Sequence, residues 1–415
     1  MKAFQKNYYN GDIIDNQIFS FKASMKTIIV SIIMFFVYWL SQLIPKKKKL
    51  WIFGAWNGEK YGDNTKYLFE YINNNKTEIR PVWLTRNQTA YDLIESKGFE
   101  VIWMYSIKGF LISMMAEKIF ISVGIKDINR YVVNRKDVIM MWHGGTPIKK
   151  IVFDDTITRN KQNLLEKLIF SLFPFLGTTH LKGLAISGSL EASKIFQSAF
   201  NSNKEQILLT GFPRNDSFFD MNQTAPLLTE LNKSKLTNVI YMPTHRKEGR
   251  GELTDLFNCN FIELNNSFKT LNSKLFIKLH YFHLKKHTFN NLSHVYFITD
   301  DDIEQDIYTV LNKFDIMITD YSSVHFDYLL TQKPIIFAPF DKEKYLQNDR
   351  EFYFNYDEVT PGPQAENWEE ILVYIENFIH NPILFEEERL NVMNRFNQYS
   401  NSENCQRVFS AINKN

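Results

Sequence analysis

Two histidines, an arginine and a pair of serines each follow an apolar run, the place where a parallel strand releases its chain into a ligand-binding loop. His143 lies in Trp142-His143-Gly144-Gly145-Thr146-Pro147-Ile148-Lys149-Lys150, directly after the run Val138–Trp142. A histidine there is a candidate general base, because its pKa lies near working pH. Gly144 lets a ligand approach the backbone, and Lys149 offers a point charge to phosphate. The competing reading is a structural turn with a capping histidine. His280, in Lys278-Leu279-His280, ends another strand-like run and is the second catalytic candidate.

Three further stretches carry donors. In Thr210-Gly211-Phe212-Pro213-Arg214-Asn215-Asp216, Arg214 either clamps a phosphate or pairs with Asp216 on the surface. Met242-Pro243-Thr244-His245-Arg246 places Thr244 and Arg246 at a strand end, where a plain loop is the alternative. Asp315-Ile316-Met317-Ile318-Thr319-Asp320-Tyr321-Ser322-Ser323-Val324-His325-Phe326-Asp327 carries the strongest signal. A strand runs into Ser322 and Ser323, whose hydroxyls and neighbouring N–H groups suit an anion. Asp327 lies about one helical turn further, at a spacing that suits a ribose. The bland reading makes Ser a cap and Asp327 a dipole partner. His280, His283 and His287 stand three and four residues apart, but no acidic or Cys ligand is close and Lys285 and Lys286 oppose a cation. No metal site is expected.

The surrounding sequence alternates short apolar runs with helical stretches, which predicts an α/β fold with parallel sheets. Expected strands are Leu50–Phe53, Val82–Leu84, Val101–Met104, Ile119–Ser122, Val138–Trp142, Gly183–Ile186 and Ile207–Leu209. After a polar stretch containing Pro226, the rhythm restarts with Val239–Met242, Leu275–Leu279, Val295–Ile298, Ile316–Ile318 and Ile335–Phe337. Expected helices include Thr65–Asn73, Tyr91–Lys97, Leu190–Phe200, Ile303–Asn312, Val324–Leu330, Trp368–Ile379 and a tail from Leu384. Lys247–Leu253 is expected to be a mobile loop. Two such halves imply two Rossmann-like domains facing a cleft, with an N-terminal membrane-associated helix before them. The expected ranges are 1–49, 50–221, a linker 222–237, and 238–415 with the C-terminal helices.

Residues Thr27–Ile44 form the only long apolar run, closed by Pro45 and followed by Lys46–Lys49. Eighteen residues rise roughly 27 Å as a helix, at the short limit for crossing a bilayer. Three readings compete: an interfacial or re-entrant helix, a single span with the bulk of the chain cytoplasmic, and a buried core helix. The run starts too late and lacks a cleavage site for a signal peptide.

Composition narrows the classes. The chain has 415 residues, 48 basic and 46 acidic groups, which excludes a strongly basic nucleic-acid binder. Two cysteines, Cys259 and Cys405, form neither a disulfide framework nor a structural zinc site. There is no G-x-x-x-x-G-K-[ST] loop, no G-x-S-x-G elbow, and no G-x-G-x-x-G in a dinucleotide-binding context.

Taken in order, the stretches around His143, Arg214, Thr244, His280 and Ser322, then Lys333–Phe337 and Phe352–Pro363, resemble the CDP-glycerol glycerophosphotransferase family of teichoic-acid and capsule synthesis. The resemblance spans roughly Leu50 to Pro363. Two departures stand out: Gly145 is inserted where the family reads His-Gly-Thr-Pro, and Tyr281 replaces the proline after His280. The resemblance implies a fold like GT-B nucleotide-sugar glycosyltransferases, monotopic attachment to the cytoplasmic face of the cell membrane, and transfer of an alditol phosphate with release of CMP. The implied donor is CDP-glycerol or CDP-ribitol, glycerol being favoured. The implied acceptor is a hydroxyl of a lipid-linked saccharide or growing polyol-phosphate polymer. His143 and His280 match its catalytic histidines, and Asp320 to Asp327 its nucleotide-binding turn. His143 would take the acceptor proton and His280 would serve the leaving phosphate. Thr244, Arg246, Lys278, Asp320, Ser322 and Ser323 are the donor-binding candidates, with Asp327 on the ribose. Gly144, Lys149, Arg214 and Asp216 are the candidates for acceptor or phosphate contacts. The donor is a substrate, so no cofactor is expected, and no acidic pair stands out for a divalent cation. The rivals are a membrane-associated glycosyltransferase, which would release UDP or a similar nucleotide, and a non-catalytic scaffold, which would bind no CDP compound.

Overall fold

The computed structural model describes residues 25–414 apart from 76, 158–163, 177–180, 221–223, 233–234, 245–258 and 280–290. Among the described residues twelve parallel strands form two sheets, and every expected strand is present within a few residues of its expected bounds. The first sheet contains β1 (Lys47–Gly54), β2 (Arg80–Thr85), β3 (Val101–Trp103), β4 (Ala116–Ile121), β5 (Val138–Met140), β6 (Leu184–Ser187) and β7 (Ile207–Leu209). Its order is β3-β2-β1-β4-β5-β6-β7. The second contains β8 (Thr237–Met242), β9 (Ser273–Ile277), β10 (Val295–Phe297), β11 (Ile316–Thr319) and β12 (Ile335–Phe337), in the order β10-β9-β8-β11-β12. The strand order reverses beside β1 and β4 in one sheet and beside β8 and β11 in the other. Loops that leave the carboxyl ends at such points open a crevice for ligands.

Both faces of the central strands are covered, which is why these strands read as unbroken apolar runs. On β1, Trp51 and Phe53 enter one core and Leu50 and Ile52 the opposite one. Phe53 pairs in register with Phe120 of β4, and their rings stack at 4.4 Å. Each such side chain stabilises the fold by about 1.5–3 kcal/mol relative to exposure. Helices between the strands begin where small polar side chains cap them. Asn87 caps Gln88–Ser96, Ser106 caps Ile107–Met115 and Ser189 caps Leu190–Ala199.

The structure corrects one expected helix and adds detail to two other stretches. Residues expected as one helix, Ile303–Asn312, form short 3-10 turns at Asp301–Ile303, Ile307–Thr309 and Leu311–Lys313. Glu304 and Gln305 have left-handed φ values of 46° and 69°, which stop a helix, and Asp306 accepts from Tyr308 N instead. The expected linker contains helix Pro226–Asn232, anchored by buried Leu227 and Leu231. The C-terminal helix Asn404–Asn413 does not stay with the second half: Val408 and Ile412 enter the core of the first sheet.

Helix Met25–Ser41 covers most of the N-terminal apolar run. Among the described residues no helix is long and apolar enough to cross a membrane, so the single-span reading finds no support. The helix is not a core element either, because Ile32, Ile33, Phe36 and Leu40 are more than half exposed. It is held by one side, where Ser41 Oγ donates to the Val132 carbonyl (3.2 Å) and Phe35 meets Phe173 (5.1 Å).

Candidate active site

A cavity of about 1060 Å³ lies between the two sheets and is lined from both. That volume is at the upper end for ligand sites, with room for a nucleotide and a second substrate. The first sheet contributes His143 and Gly144 after β5, and Trp56, Asn57 and Asp63 after β1. The second contributes Thr244 after β8, Lys278 after β9, and Ser322 and Ser323 after β11.

His143 sits in a strained turn. Trp142 before it has φ +61°, a left-handed conformation that a tryptophan adopts only when neighbours enforce it. Asn64 Nδ2 donates to the carbonyls of Met141 and Trp142 at 2.9 Å each, and Arg214 Nη1 donates to the carbonyl of His143 at 2.7 Å. The imidazole packs on the Trp142 ring at 4.3 Å and the Trp56 ring at 5.7 Å. Among the described residues its buried Nδ1 has no hydrogen-bond partner. Burial, and then the charge of Arg214, push its pKa down to about 4, with the Ser122 backbone pulling the other way. The ring is therefore neutral at pH 7, the state a proton acceptor requires.

The next two residues carry the chain across to the second sheet. A Cβ on Gly144 would lie 3.1 Å from Ser323 Oγ, and one on Gly145 would lie 2.8 Å from Asp327 Oδ1. A side chain at Gly145 would displace the Asp327 carboxylate, and one at Gly144 would crowd the Trp142 indole and the Ser323 hydroxyl, so the two glycines allow the close approach of the base to the Ser322–Ser323 turn. The second glycine, a departure from the resembled motif, has this steric reason.

The sequence pattern of the family described as CDP-Glycerol:Poly(glycerophosphate) glycerophosphotransferase matches residues 33–414, nearly the whole chain. The chain belongs to this family. It is 27% identical over 406 residues to the teichoic acid glycerol-phosphate transferase of Staphylococcus aureus (strain NCTC 8325 / PS 47), covering 94% of this chain and 100% of that protein. It is 27% identical over 354 residues to a teichoic acid poly(glycerol phosphate) polymerase of Bacillus spizizenii, covering 81% and 85%. A solved structure of the wall teichoic acid polymerase TagF superimposes with a TM-score of 0.70 over 89% of each chain at 24% identity, a likeness of fold.

In this glycerophosphotransferase-family enzyme the expected site residues fall into three groups. Gly144, Arg214, Thr244, Lys278, Ser322 and Ser323 line the cavity with His143. Arg246 and His280 lie outside the described residues, as do His283, His287 and the expected loop Lys247–Leu253. The remaining candidates are brought to structural positions. Asp320 is buried and accepts from the backbone N–H groups of Thr244 (2.9 Å) and Tyr321 (2.6 Å), so it braces the β8 loop against the β11 loop. Asp216 accepts from Asn404 N and Cys405 N at 2.8 Å each and caps the returning C-terminal helix. Burial raises its pKa, opposed by those N–H groups. Lys149 forms an antiparallel bridge with Phe352, away from the cavity wall.

Arg214 and Asp327 differ most from expectation. Neither is a surface group: Arg214 is 2% exposed and Asp327 1%. Arg214 Nη2 meets Asp327 Oδ2 at 2.6 Å and Nη1 meets Asp63 Oδ1 at 3.2 Å. Tyr308 donates its hydroxyl to Asp327 Oδ2 (2.6 Å), and Asn215 donates to Oδ1 (3.2 Å). With both oxygens engaged and the carboxylate off the cavity wall, Asp327 is not placed to hold a ribose. Burial opposes the Arg214 charge, but Tyr308, Asp327 and Asp63 outweigh it and raise the guanidinium pKa above its ordinary value. Burial pushes the Asp63 carboxyl up to about 7 against the pull of Arg214.

Sequence reasoning missed Asp63, Asn64, Tyr308, Lys60 and Asp300, the last of which pairs with the expected Lys278. Asp300 takes Lys60 (3.0 Å) from one side of the cleft and Lys278 (2.9 Å) from the other. Burial opposes ionisation of Asp300, yet the two lysines hold its carboxyl below the ordinary value. Burial lowers the Lys278 pKa, with Asp300 opposing. The only local signal was Gly62-Asp63-Asn64 at a helix start just after β1, which also reads as an ordinary cap.

Proposed function

We propose that the chain transfers an alditol phosphate, glycerol phosphate in the first instance, from a CDP-alditol to an acceptor hydroxyl. Its product is a phosphodiester and its leaving group is CMP. The donor diphosphate lies against Ser322 and Ser323, near Lys278 and the backbone at Thr244. The acceptor hydroxyl lies at His143. As the acceptor oxygen bonds to the alditol-bearing phosphorus, its proton passes to the imidazole and the bond from that phosphorus to CMP breaks. Positioning and charge stabilisation carry most of such a step. His280 and Arg246 complete the reading as the leaving-group residue and a phosphate clamp, on the family resemblance alone. The observation that carries the proposal is a neutral histidine, its Nδ1 without a partner among the described residues, in a shared cavity one glycine away from the serine turn of the opposite sheet.

The N-terminal helix fits an interfacial anchor. Helix Leu164–Leu172 adds exposed Leu164, Leu165 and Leu168, and Trp39 Nε1 donates to the Leu172 carbonyl (3.2 Å), so the two helices present one apolar surface. Lys46–Lys49 follow, as suits anionic headgroups. The acceptor would be lipid-borne and presented at the cytoplasmic face.

Release of CMP by the purified chain, given CDP-glycerol or CDP-ribitol with a lipid-linked acceptor, tests the reaction and chooses the donor. Acceptor-dependent CMP from one donor is the expected result. Binding of CDP without CMP release from either would contradict it. Sedimentation with anionic vesicles tests the anchor: Phe36→Glu should leave the chain in the supernatant, and undiminished pelleting would refute the surface.

A further inference from the structure

We propose that Arg214 is a positioning residue that couples the donor side of the cleft to the base. Its guanidinium holds the His143 carbonyl, the Asp63 carboxylate beside the first sheet, and the Asp327 carboxylate one turn beyond Ser323. This rests on the reading of His143 as the group that takes the acceptor proton.

The geometry is over-determined. Three successive carbonyls, of Met141, Trp142 and His143, are each held by a side-chain donor from Asn64 or Arg214. The two donors are tied together, since Arg214 N donates to Asn64 Oδ1 at 3.1 Å. The strained φ of Trp142 lies inside this clamp. The guanidinium also packs over the Tyr308 ring at 4.3 Å, and Tyr308 in turn donates to Asp327. A shift of the Ser322–Ser323 turn on donor binding moves Asp327, and Asp327 shares its guanidinium with His143. A planar fork with several donors makes these contacts at once, and an ammonium does not.

The second consequence is electrostatic. The charged groups acting on the His143 ring are Arg214, Arg350 and Lys149, all disfavouring its protonation, and Arg214 acts most strongly. Arg214 thus adds to burial in keeping the base neutral, as well as placing it.

The experiment uses the full-length chain, CMP release from CDP-glycerol, and a pH–rate profile. Arg214→Lys keeps the charge and loses the fork. We expect kcat to fall by about 10²-fold, the loss typical of an ångström-scale misplacement, with the KM for CDP-glycerol and the acid limb little changed. Arg214→Gln loses both, and its acid limb should also move up by about one pH unit. Unaltered kcat in Arg214→Lys overturns the positioning role, and so does a loss that falls on KM alone. An unmoved acid limb in a folded Arg214→Gln overturns the electrostatic part. If Arg214→Gln does not fold, the kcat-against-KM split of Arg214→Lys decides. His143→Ala serves as the separate control: normal turnover there would sink the base reading itself, whatever the arginine variants do.

Discussion

The turns at 142–145 and 322–325 each hold a histidine, and burial pushes both rings down to about 4. They nevertheless do different work. His325 is fully buried, with Nδ1 on the Ser322 carbonyl (2.7 Å) and Nε2 on the Val359 carbonyl (3.0 Å). Its ring pins the serine turn to the last residue of helix Tyr356–Val359 and has no nitrogen left for a substrate. His143 has the same depressed basicity, but it lines the cavity and keeps a nitrogen without a partner. A lowered pKa therefore reports burial, and a ring on the cavity wall with a nitrogen still unpaired among the described residues marks the candidate base.

The comparison can be broken most directly by removing each ring. His143→Ala should lower kcat by about 10²–10⁴-fold with an unchanged melting temperature. His325→Ala should instead leave buried carbonyls unsatisfied and destabilise the fold by about 1–3 kcal/mol, read as a lower denaturant midpoint. The reverse pattern would exchange the two roles.

Asp327→Ala sharpens the same contrast from the second sheet. Leaving Arg214 buried without its nearer carboxylate should cost about 3–5 kcal/mol, more than either histidine loss, when measured by denaturant titration. Near-normal stability with a raised KM for CDP-glycerol would instead return Asp327 to the ribose-contact role expected from sequence.

Smaller effects follow at the interface of the two turns. Ser323→Ala should raise the KM for CDP-glycerol several-fold, the scale of one lost hydrogen bond of about 0.5–1.5 kcal/mol, with kcat less affected. The pH dependence of stability supplies the mildest test. Both histidines have folded values near 4, below their ordinary 6.5, so the unfolded chain binds more protons between those limits. Their stabilisation is present above pH 6.5 and is lost as pH falls towards 4, on the order of a few kcal/mol for the pair. The melting temperature should fall across that window, and a flat profile would show that the rings are not held neutral.

How far the sequence was legible depends on the range of the interactions. The β8–β12 runs and the His143 and Ser322 turns could be read because each is a local pattern of apolar run and turn residues. Arg214 and Asp327 are 113 residues apart, and Asp216 caps a helix 188 residues away. No spacing rule shows such pairings, so nothing in the sequence signalled that Arg214 and Asp327 are buried partners of one another or that Asp216 serves a distant helix. The 301–313 stretch failed for a different reason: its apolar residues suit a helix, but left-handed Glu304 and Gln305 and the Asp306 side chain divide it into short turns.

The pH–rate profile of kcat/KM for CMP release by the unaltered chain bears most directly on His143 as the neutral base of the cleft. The expected acid limb has its midpoint near pH 4, well below an ordinary imidazole, and disappears along with the activity in His143→Ala. A midpoint at 6.5 or above, or an acid limb that survives in His143→Ala, would contradict the account.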